Sequence, residues 1–225
     1  MTDLSNFVGH DLGAMPSVAR GEARVHPVPL VRATAESLRG YGRLVGDYAA
    51  EDVVIVPWPV TGRRPLVPGT GVEGGVVEDV FAMQREGGLL FAHNHAVGRR
   101  YLTGWYGDPA TASAAVEPAD LGRVLTHEAN HHPDGGQVFA ARDQRPFVAL
   151  LALPRDDVRP EHFVAFWFDG PLGVQILPEV WHQPMFPAGD AQVFDDKQGR
   201  VHACVSVDFV GEFGTYLEVP LRPPR

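Results

Sequence analysis

Residues 126–139 read THEANHHPDGGQVF, and this stretch decides between a helical and a strand-built interpretation of the chain. His127 and His131 stand four positions apart with Glu128 beside the first, which is the spacing of a helical zinc site in hydrolases. On a helix the two imidazoles would share a face, and the glutamate would activate a zinc-bound water. Pro133 must end such a helix soon after the second histidine, because proline lacks the N–H donor that the next turn needs.

The same stretch also fits an extended strand. Strand alternation would place Asn130 and His132 on one face, and Gln137 follows five positions later. His182 comes much later, after a proline-containing turn. A cupin barrel typically brings together two side chains of one strand, a third four or five positions on and a late histidine, because barrel curvature unites distant strands in one interior. The spacing therefore predicts a polar pocket built from His132, Gln137 and His182, which are also candidate metal ligands.

Short alternating segments continue along the chain, and its 25 glycines and 20 prolines are scattered between them as in a sheet-rich domain. We predict a mostly β fold, a cupin-like antiparallel β-barrel or jelly roll with a few short helices. It forms a single domain over residues 25–225, preceded by an N-terminal arm over 1–24. A short helix is predicted over 35–44, and 118–132 is either helix or strand. The predicted strands include 75–83, 89–95, 100–106, 137–140, 147–152, 162–168, 173–176, 191–193, 202–210 and 216–219.

Composition limits the function classes. The chain carries 19 Lys and Arg against 28 Asp and Glu, a formal charge of −9, so nucleic acids and anionic membrane surfaces would be repelled on average. Cys204 is the only cysteine, which excludes an internal disulfide and suits a reducing cytoplasm. No signal peptide and no apolar run of about 20 residues is visible. We therefore expect a soluble cytoplasmic protein whose partner is a small molecule.

Two blocks carry a resemblance to a known family. Residues 130–139, NHHPDGGQVF, resemble the E-R-H-P-x-x-x-Q-x-F block of the ureidoglycolate lyase family, and residues 180–186, VWHQPMF, resemble its V-W-H-x-P-[LM]-F block. The resemblance extends over about 116–219. Members are cupin-fold enzymes of allantoin catabolism that split ureidoglycolate into glyoxylate and urea, and nickel is associated with the family. The resemblance thus implies a carbon–nitrogen lyase, with a divalent metal held by His132, Gln137 and His182.

The resemblance also implies roles for individual residues. His132 or His182 would be the base, since imidazole titrates near neutral pH. Arg100 would hold the substrate carboxylate through its bidentate fork, and Gln137 would orient the ureido group. The predicted substrate-binding residues are Arg100, Tyr101 and Asn130.

Departures from the family pattern keep the substrate open. Asn130 stands where the family has an acidic residue, and His131 where it has an arginine. The substrate is then ureidoglycolate or a related small hydroxy or ureido acid, and a homodimer is expected by analogy with other cupins. Two alternatives remain: a zinc-dependent hydrolase using His127, Glu128 and His131, and a non-catalytic cupin that binds a metabolite. His93 and His95 share a strand face, as a second metal pair or as a polar surface beside a turn.

Overall fold

Residues 118–132, which the sequence left as either helix or strand, contain two strands and no helix. A computed structural model describes residues 14–56, 64–68, 70 and 74–224. In it, β7 (Arg123–Thr126) and β8 (Glu128–His131) cover most of the segment that the alternative interpretation made helical. Both strands are buried over nearly their whole length, so ladder hydrogen bonds with neighbouring strands satisfy the backbone there. Tertiary pairing therefore overrides the helical spacing of the apolar side chains.

Within the described residues the strands form two sheets. The larger has the order β1-β17-β7-β6-β5-β4-β15-β9-β12-β3, and all its pairings are antiparallel except that of β1 with β17. Its remaining strands are β1 (Arg24–Pro27), β3 (Gly42–Val45), β4 (Val76–Glu86), β5 (Leu89–Asn94), β6 (Arg99–Trp105), β9 (Gln137–Ala141), β12 (Gly173–Ile176), β15 (Ala191–Gly199) and β17 (Thr215–Pro220).

The smaller sheet has the order β16-β8-β13-β10-β11-β2, with β14 pairing to β10 off this path. Apart from β8, its strands are β2 (Leu30–Arg32), β10 (Phe147–Ala152), β11 (Val164–Phe168), β13 (Trp181–His182), β14 (Phe186–Pro187) and β16 (Val205–Asp208). The predicted strands over 147–152 and 173–176 agree with the structure in their bounds, and the hairpin between β4 and β5 is confirmed.

Aromatic side chains of both sheets form one core. Phe194 of the larger sheet meets Phe147 of the smaller edge-on, with ring centroids 5.2 Å apart, and Phe147 stacks on Phe168 at 4.6 Å. Phe139 completes the layer from β9, 6.2 Å from Phe194. The mostly β, cupin-like prediction is confirmed. Over the described residues the strand ladders do not close into the predicted barrel, so the architecture there is that of two sheets packed on a common core.

Two local predictions are wrong. Residues 35–41 form successive turns and not a helix, and the chain then enters β3. The predicted strand over 202–210 shortens to β16, because Asp208 accepts from the backbone N–H groups of Val210 and Gly211 and starts a helix. This helix, α1 (Phe209–Phe213), ends at Gly214, whose φ of 61° suits glycine. It has five residues, and no helix among the described residues has the length and hydropathy of a membrane span. Most of the predicted arm, residues 1–13, lies outside the described part of the chain.

Candidate functional site

A buried polar cavity lies where the two sheets meet. Its free space is about 40 Å³, room for about three water molecules. The smaller sheet contributes residues of β8 and β13, and the larger contributes residues of β5, β6 and β9. Among the polar side chains that line it are Glu128, Asn130, His132, Gln137, His182 and His202. The structure thus brings together the three residues on which the sequence interpretation depended.

His182 and Gln137 meet directly across the sheets. His182 Nδ1 lies 2.8 Å from the carbonyl oxygen of Val180, so this nitrogen carries the proton and Nε2 keeps a lone pair. That Nε2 lies 3.2 Å from Gln137 Oε1. The Gln137 amide nitrogen donates to Asp196 at 2.7 Å and to Gln198 at 2.9 Å, which fixes the orientation of its amide. Two acceptor atoms therefore face each other, an arrangement that accommodates a substrate N–H or O–H group or a cation between them.

His132 is held in the same tautomer. Its Nδ1 lies 2.8 Å from the carbonyl oxygen of Ala203, so the Nδ1 proton is donated there and Nε2 remains an acceptor. The ring centroid lies 5.1 Å from that of His182 and 4.7 Å from that of His202. Three imidazoles thus cluster at one end of the cavity; His132 and His182 are buried and His202 is half-buried.

Burial keeps these imidazoles neutral. It lowers the pKa of His182 to about 3, with a further lowering from the neighbouring His132. The pKa of His132 is also lowered by burial, against the opposing effect of its bond to the Ala203 carbonyl. Burial places the pKa of His202 well below its usual value, and the charge of Arg99 adds to this. All three rings act as neutral acceptors at physiological pH.

A carboxyl group supports Gln137 from the larger sheet. Asp196 is fully buried, and burial raises its pKa to about 8 although its bond to Gln137 works in the opposite direction. Gln198 extends the chain of polar contacts, accepting from Asn94 at 3.2 Å and lying 3.2 Å from His202 Nδ1. A continuous buried hydrogen-bond network therefore fixes the orientation of the Gln137 amide.

The structure places two of the three predicted substrate-binding residues at the cavity. Tyr101 and Asn130 line it, whereas Arg100 does not. Strand alternation turns Arg100 to the opposite face of β6, where it pairs with Glu86 and lies 3.8 Å from the centroid of the Phe91 ring. The prediction that Arg100 holds the substrate carboxylate is not supported by this position.

The histidines of the zinc alternative lie apart. On a strand, residues four positions apart are separated by about 13 Å, so one metal ion cannot reach both. His127 packs against Trp105 at 5.3 Å between ring centroids, and His131 packs against Trp181 at 4.4 Å. The helical zinc site is wrong for these residues because its helix does not form. His93 and His95 stack on each other at 3.8 Å on the β4–β5–β6 side of the molecule.

The donor set can be compared with what a divalent metal needs. Among the described residues no three His, Cys, Asp or Glu side chains converge as a metal site. His132 and His182 nevertheless present Nε2 while Nδ1 donates to a carbonyl, which is the orientation of metal-binding histidines. With the facing Oε1 of Gln137 they form an uncharged set of three donors that fits a divalent cation, though weakly, since no carboxylate takes part.

Sequence reasoning did not place several residues at the cavity or directly behind Gln137, although the zinc alternative includes Glu128. Asp196 and Gln198 contact Gln137 because β15 pairs with β9, and no local sequence pattern predicts that pairing. His202 and Glu128 also line the cavity. Glu128 could have been found from alternation, because it lies two positions before Asn130 and therefore on the same strand face.

Two sheets around a shared core, with a small buried histidine-rich cavity between them, define a cupin-like β protein. The family model for ureidoglycolate lyase matches residues 118–209. A ureidoglycolate lyase from Azotobacter vinelandii is 30% identical over 138 residues, covering 58% of this chain and 82% of that protein. The chain therefore belongs to the ureidoglycolate lyase family.

Other relatives match over a shorter stretch. Ureidoglycolate lyases from Salmonella enteritidis and Salmonella paratyphi B are each 35% identical over 71 residues, or 32% of this chain. The chain spans 44% of the length of these two relatives. The matches confirm the family that the two sequence blocks indicated, and the family model covers the segment that contains His132, Gln137 and His182.

Proposed function

We propose that the protein is a lyase that cleaves the carbon–nitrogen bond of ureidoglycolate, or of a related small hydroxy or ureido acid, to give glyoxylate and urea or their analogues. The observation that carries the proposal is the convergence of His132, Gln137 and His182 in one buried cavity of a ureidoglycolate lyase family member. Ureidoglycolate is larger than the about three water molecules that the free space of about 40 Å³ holds, so side chains at the cavity would have to move apart to admit it.

The reaction moves one proton within the substrate. Ureidoglycolate is a hemiaminal: its hydroxyl loses a proton, the carbon–oxygen double bond forms, the carbon–nitrogen bond breaks and the urea nitrogen gains a proton. Neutral His132 and His182 each offer an Nε2 lone pair that would accept the hydroxyl proton as it leaves.

Polar amides would orient the rest of the substrate. Because the nitrogen of Gln137 is already bonded to Asp196 and Gln198, its Oε1 would accept an N–H of the ureido group. Asn130 Oδ1 accepts from the hydroxyl of Ser206, so the amide N–H groups of Asn130 are its donors toward a substrate carboxylate. These contacts would set the hydroxyl against the imidazoles.

A bound divalent metal, nickel by family resemblance, would be held by His132, Gln137 and His182 and would polarise the hydroxyl. The uncharged donor set predicts weak, exchangeable metal binding. A homodimer, a cytoplasmic location and a place in purine and allantoin catabolism belong to the same proposal, and light scattering of the purified protein would test the dimer.

The test is release of urea and glyoxylate from ureidoglycolate by purified protein, with and without a chelator. His182→Ala removes the Nε2 that faces Gln137, so we expect kcat to fall by about 10²–10⁴. The matched control is His95→Ala, an exposed histidine outside the cavity, which should keep full activity. Equal turnover by His182→Ala and wild-type protein would remove this histidine from the reaction. Binding of substrate without turnover by wild-type protein would instead identify a non-catalytic metabolite-binding member.

A further inference from the structure

Glu128 is the one acidic side chain among the residues found to line the cavity within the described part of the chain. It is 2% exposed, and it lies on β8 two positions before Asn130, so both side chains leave the strand on the same face. A carboxyl group at this depth is rare unless it is paired, since burying its charge is costly. Its position therefore calls for an explanation in terms of the site.

The surroundings of Glu128 keep its carboxyl group protonated. Oε2 has no hydrogen-bond partner among the described residues, and the closest basic group is His127 Nε2 at 4.0 Å. Asp208 is the partner of Glu128 in the pairing of β16 with β8. Tyr101 and Cys204 also interact with Glu128 from other elements, and neither is cationic. Burial and the charge of Asp208 raise the pKa of Glu128 to about 8.

His132 and His182 donate their Nδ1 protons to backbone carbonyls and present only an Nε2 lone pair to the cavity, so neither ring has a proton to give to the departing nitrogen. Glu128 carries a proton at neutral pH, and it is a stronger acid than the Tyr101 hydroxyl and the Cys204 thiol, whose pKa values are also raised by burial. We propose that Glu128 is a catalytic residue that donates its carboxyl proton to the departing urea nitrogen. This inference rests on the proposed lyase function.

The proton balance closes within the site. The Glu128 O–H bond breaks as the new N–H bond forms on urea, and the electron pair of the carbon–nitrogen bond goes to that nitrogen. The hydroxyl proton of the substrate passes to His132 or His182, and the carbonyl of glyoxylate forms. That proton then returns from the imidazolium to the Glu128 carboxylate, which restores both groups without an external donor. The same carboxyl group thus takes part once in every turnover.

The experiment compares wild-type protein with Glu128→Gln in the urea-release assay over pH 6–10. Glutamine has the shape of a protonated glutamate but no acidic proton, so kcat should fall by about 10²–10⁴ with KM within a few-fold of wild type. Wild-type kcat should decline above pH 8, where Glu128 ionises, and this alkaline decline should be missing from the residual activity of the variant. Glu117→Gln makes the same chemical change at an exposed site and should leave kcat unchanged.

Two controls keep the outcomes separate. Urea unfolding of Glu128→Gln shows whether the variant is folded. Infrared difference spectra of Asp196→Asn between pH 6 and pH 10 report the Glu128 carboxyl group in a protein that keeps Glu128, because Asp196, whose pKa is also about 8, no longer contributes. Wild-type turnover that is retained by a folded Glu128→Gln, or a carboxyl group ionised already at pH 6, would overturn the role of Glu128 alone. Absence of turnover in wild-type protein would overturn the lyase function, and the role of Glu128 with it.

Discussion

Replacing Asp196 by asparagine should flatten the dependence of stability on pH. Asp196 is fully buried, and its pKa is about 8 in the folded protein against 3.8 for an ordinary aspartate. Because the pKa of Asp196 is higher in the folded protein than in the unfolded chain, its contribution to the free energy of unfolding is largest at pH values below the unfolded pKa. It is lost as the pH rises toward the folded pKa, because the unfolded chain gives up the proton first. The window therefore runs from about pH 4 to about pH 8.

The magnitude follows from one proton. Inside the window each pH unit lowers the free energy of unfolding by about 1.4 kcal/mol, so Asp196 accounts for a loss of about 2.7 kcal/mol between pH 5 and pH 7. Asparagine resembles the protonated acid and can still accept from Gln137 Nε2 through its carbonyl oxygen. The free energy of unfolding of the variant should therefore fall by about 2.7 kcal/mol less than that of wild type between pH 5 and pH 7. Glu128, whose pKa is also raised to about 8, makes the stability of both proteins fall with pH in the same way.

The measurement is urea unfolding followed by tryptophan fluorescence at pH 5, 6, 7 and 8. The matched control is Asp195→Asn: Asp195 is the half-exposed neighbour that pairs with Arg142 at 2.7 Å, and its replacement should leave the slope as in wild type. Identical slopes in Asp196→Asn and wild-type protein would refute the reasoning. Asp196 would then be ionised in the folded state and would need a cation.

Two more predictions follow from packing and register. Phe139→Ala leaves a hole between Phe81 and Phe194 and should lower the free energy of unfolding by about 3–5 kcal/mol in the same urea assay; a loss below about 1 kcal/mol would mean that the two sheets do not share this core. Arg100→Met should leave KM for ureidoglycolate within twofold of wild type, because Arg100 pairs with Glu86 away from the cavity, and a tenfold rise in KM would return the substrate carboxylate to Arg100.

The sequence predicted the strands best where a local pattern of residues marks the strand or its turn. The β10 segment and the β4–β5 hairpin are examples, since a continuous apolar run and a glycine turn mark them. The helix predicted over 35–44 failed because helical spacing of a few apolar residues over one or two turns is a weak signal. Alternation alone could not decide 118–132, where the long-range pairing of β7 with β17 settles the conformation.

The candidate site was predictable in part for the same reason. His132, Gln137 and His182 carry local motifs, and all three lie at the cavity. Asp196 could not be found from sequence, because it becomes a neighbour of Gln137 only through the register of β15 against β9. Arg100, which the family resemblance implied as a carboxylate anchor, lies on the face of β6 opposite to Tyr101, since a shift of one position reverses the face of a strand. Arg99 has the parity of Tyr101, and its charge helps to lower the pKa of His202.

The parallel pairing of β1 with β17 joins residues about 190 positions apart in the chain. During synthesis, Arg24–Pro27 leave the ribosome long before Thr215–Pro220 exist, so this edge of the larger sheet stays open until the last strands emerge. β2 likewise has no pairing partner until β11 is synthesised about 135 residues later. The early strands must therefore remain free of other partners, and a chaperone that shields them would raise the yield of folded protein more than one acting on the finished chain.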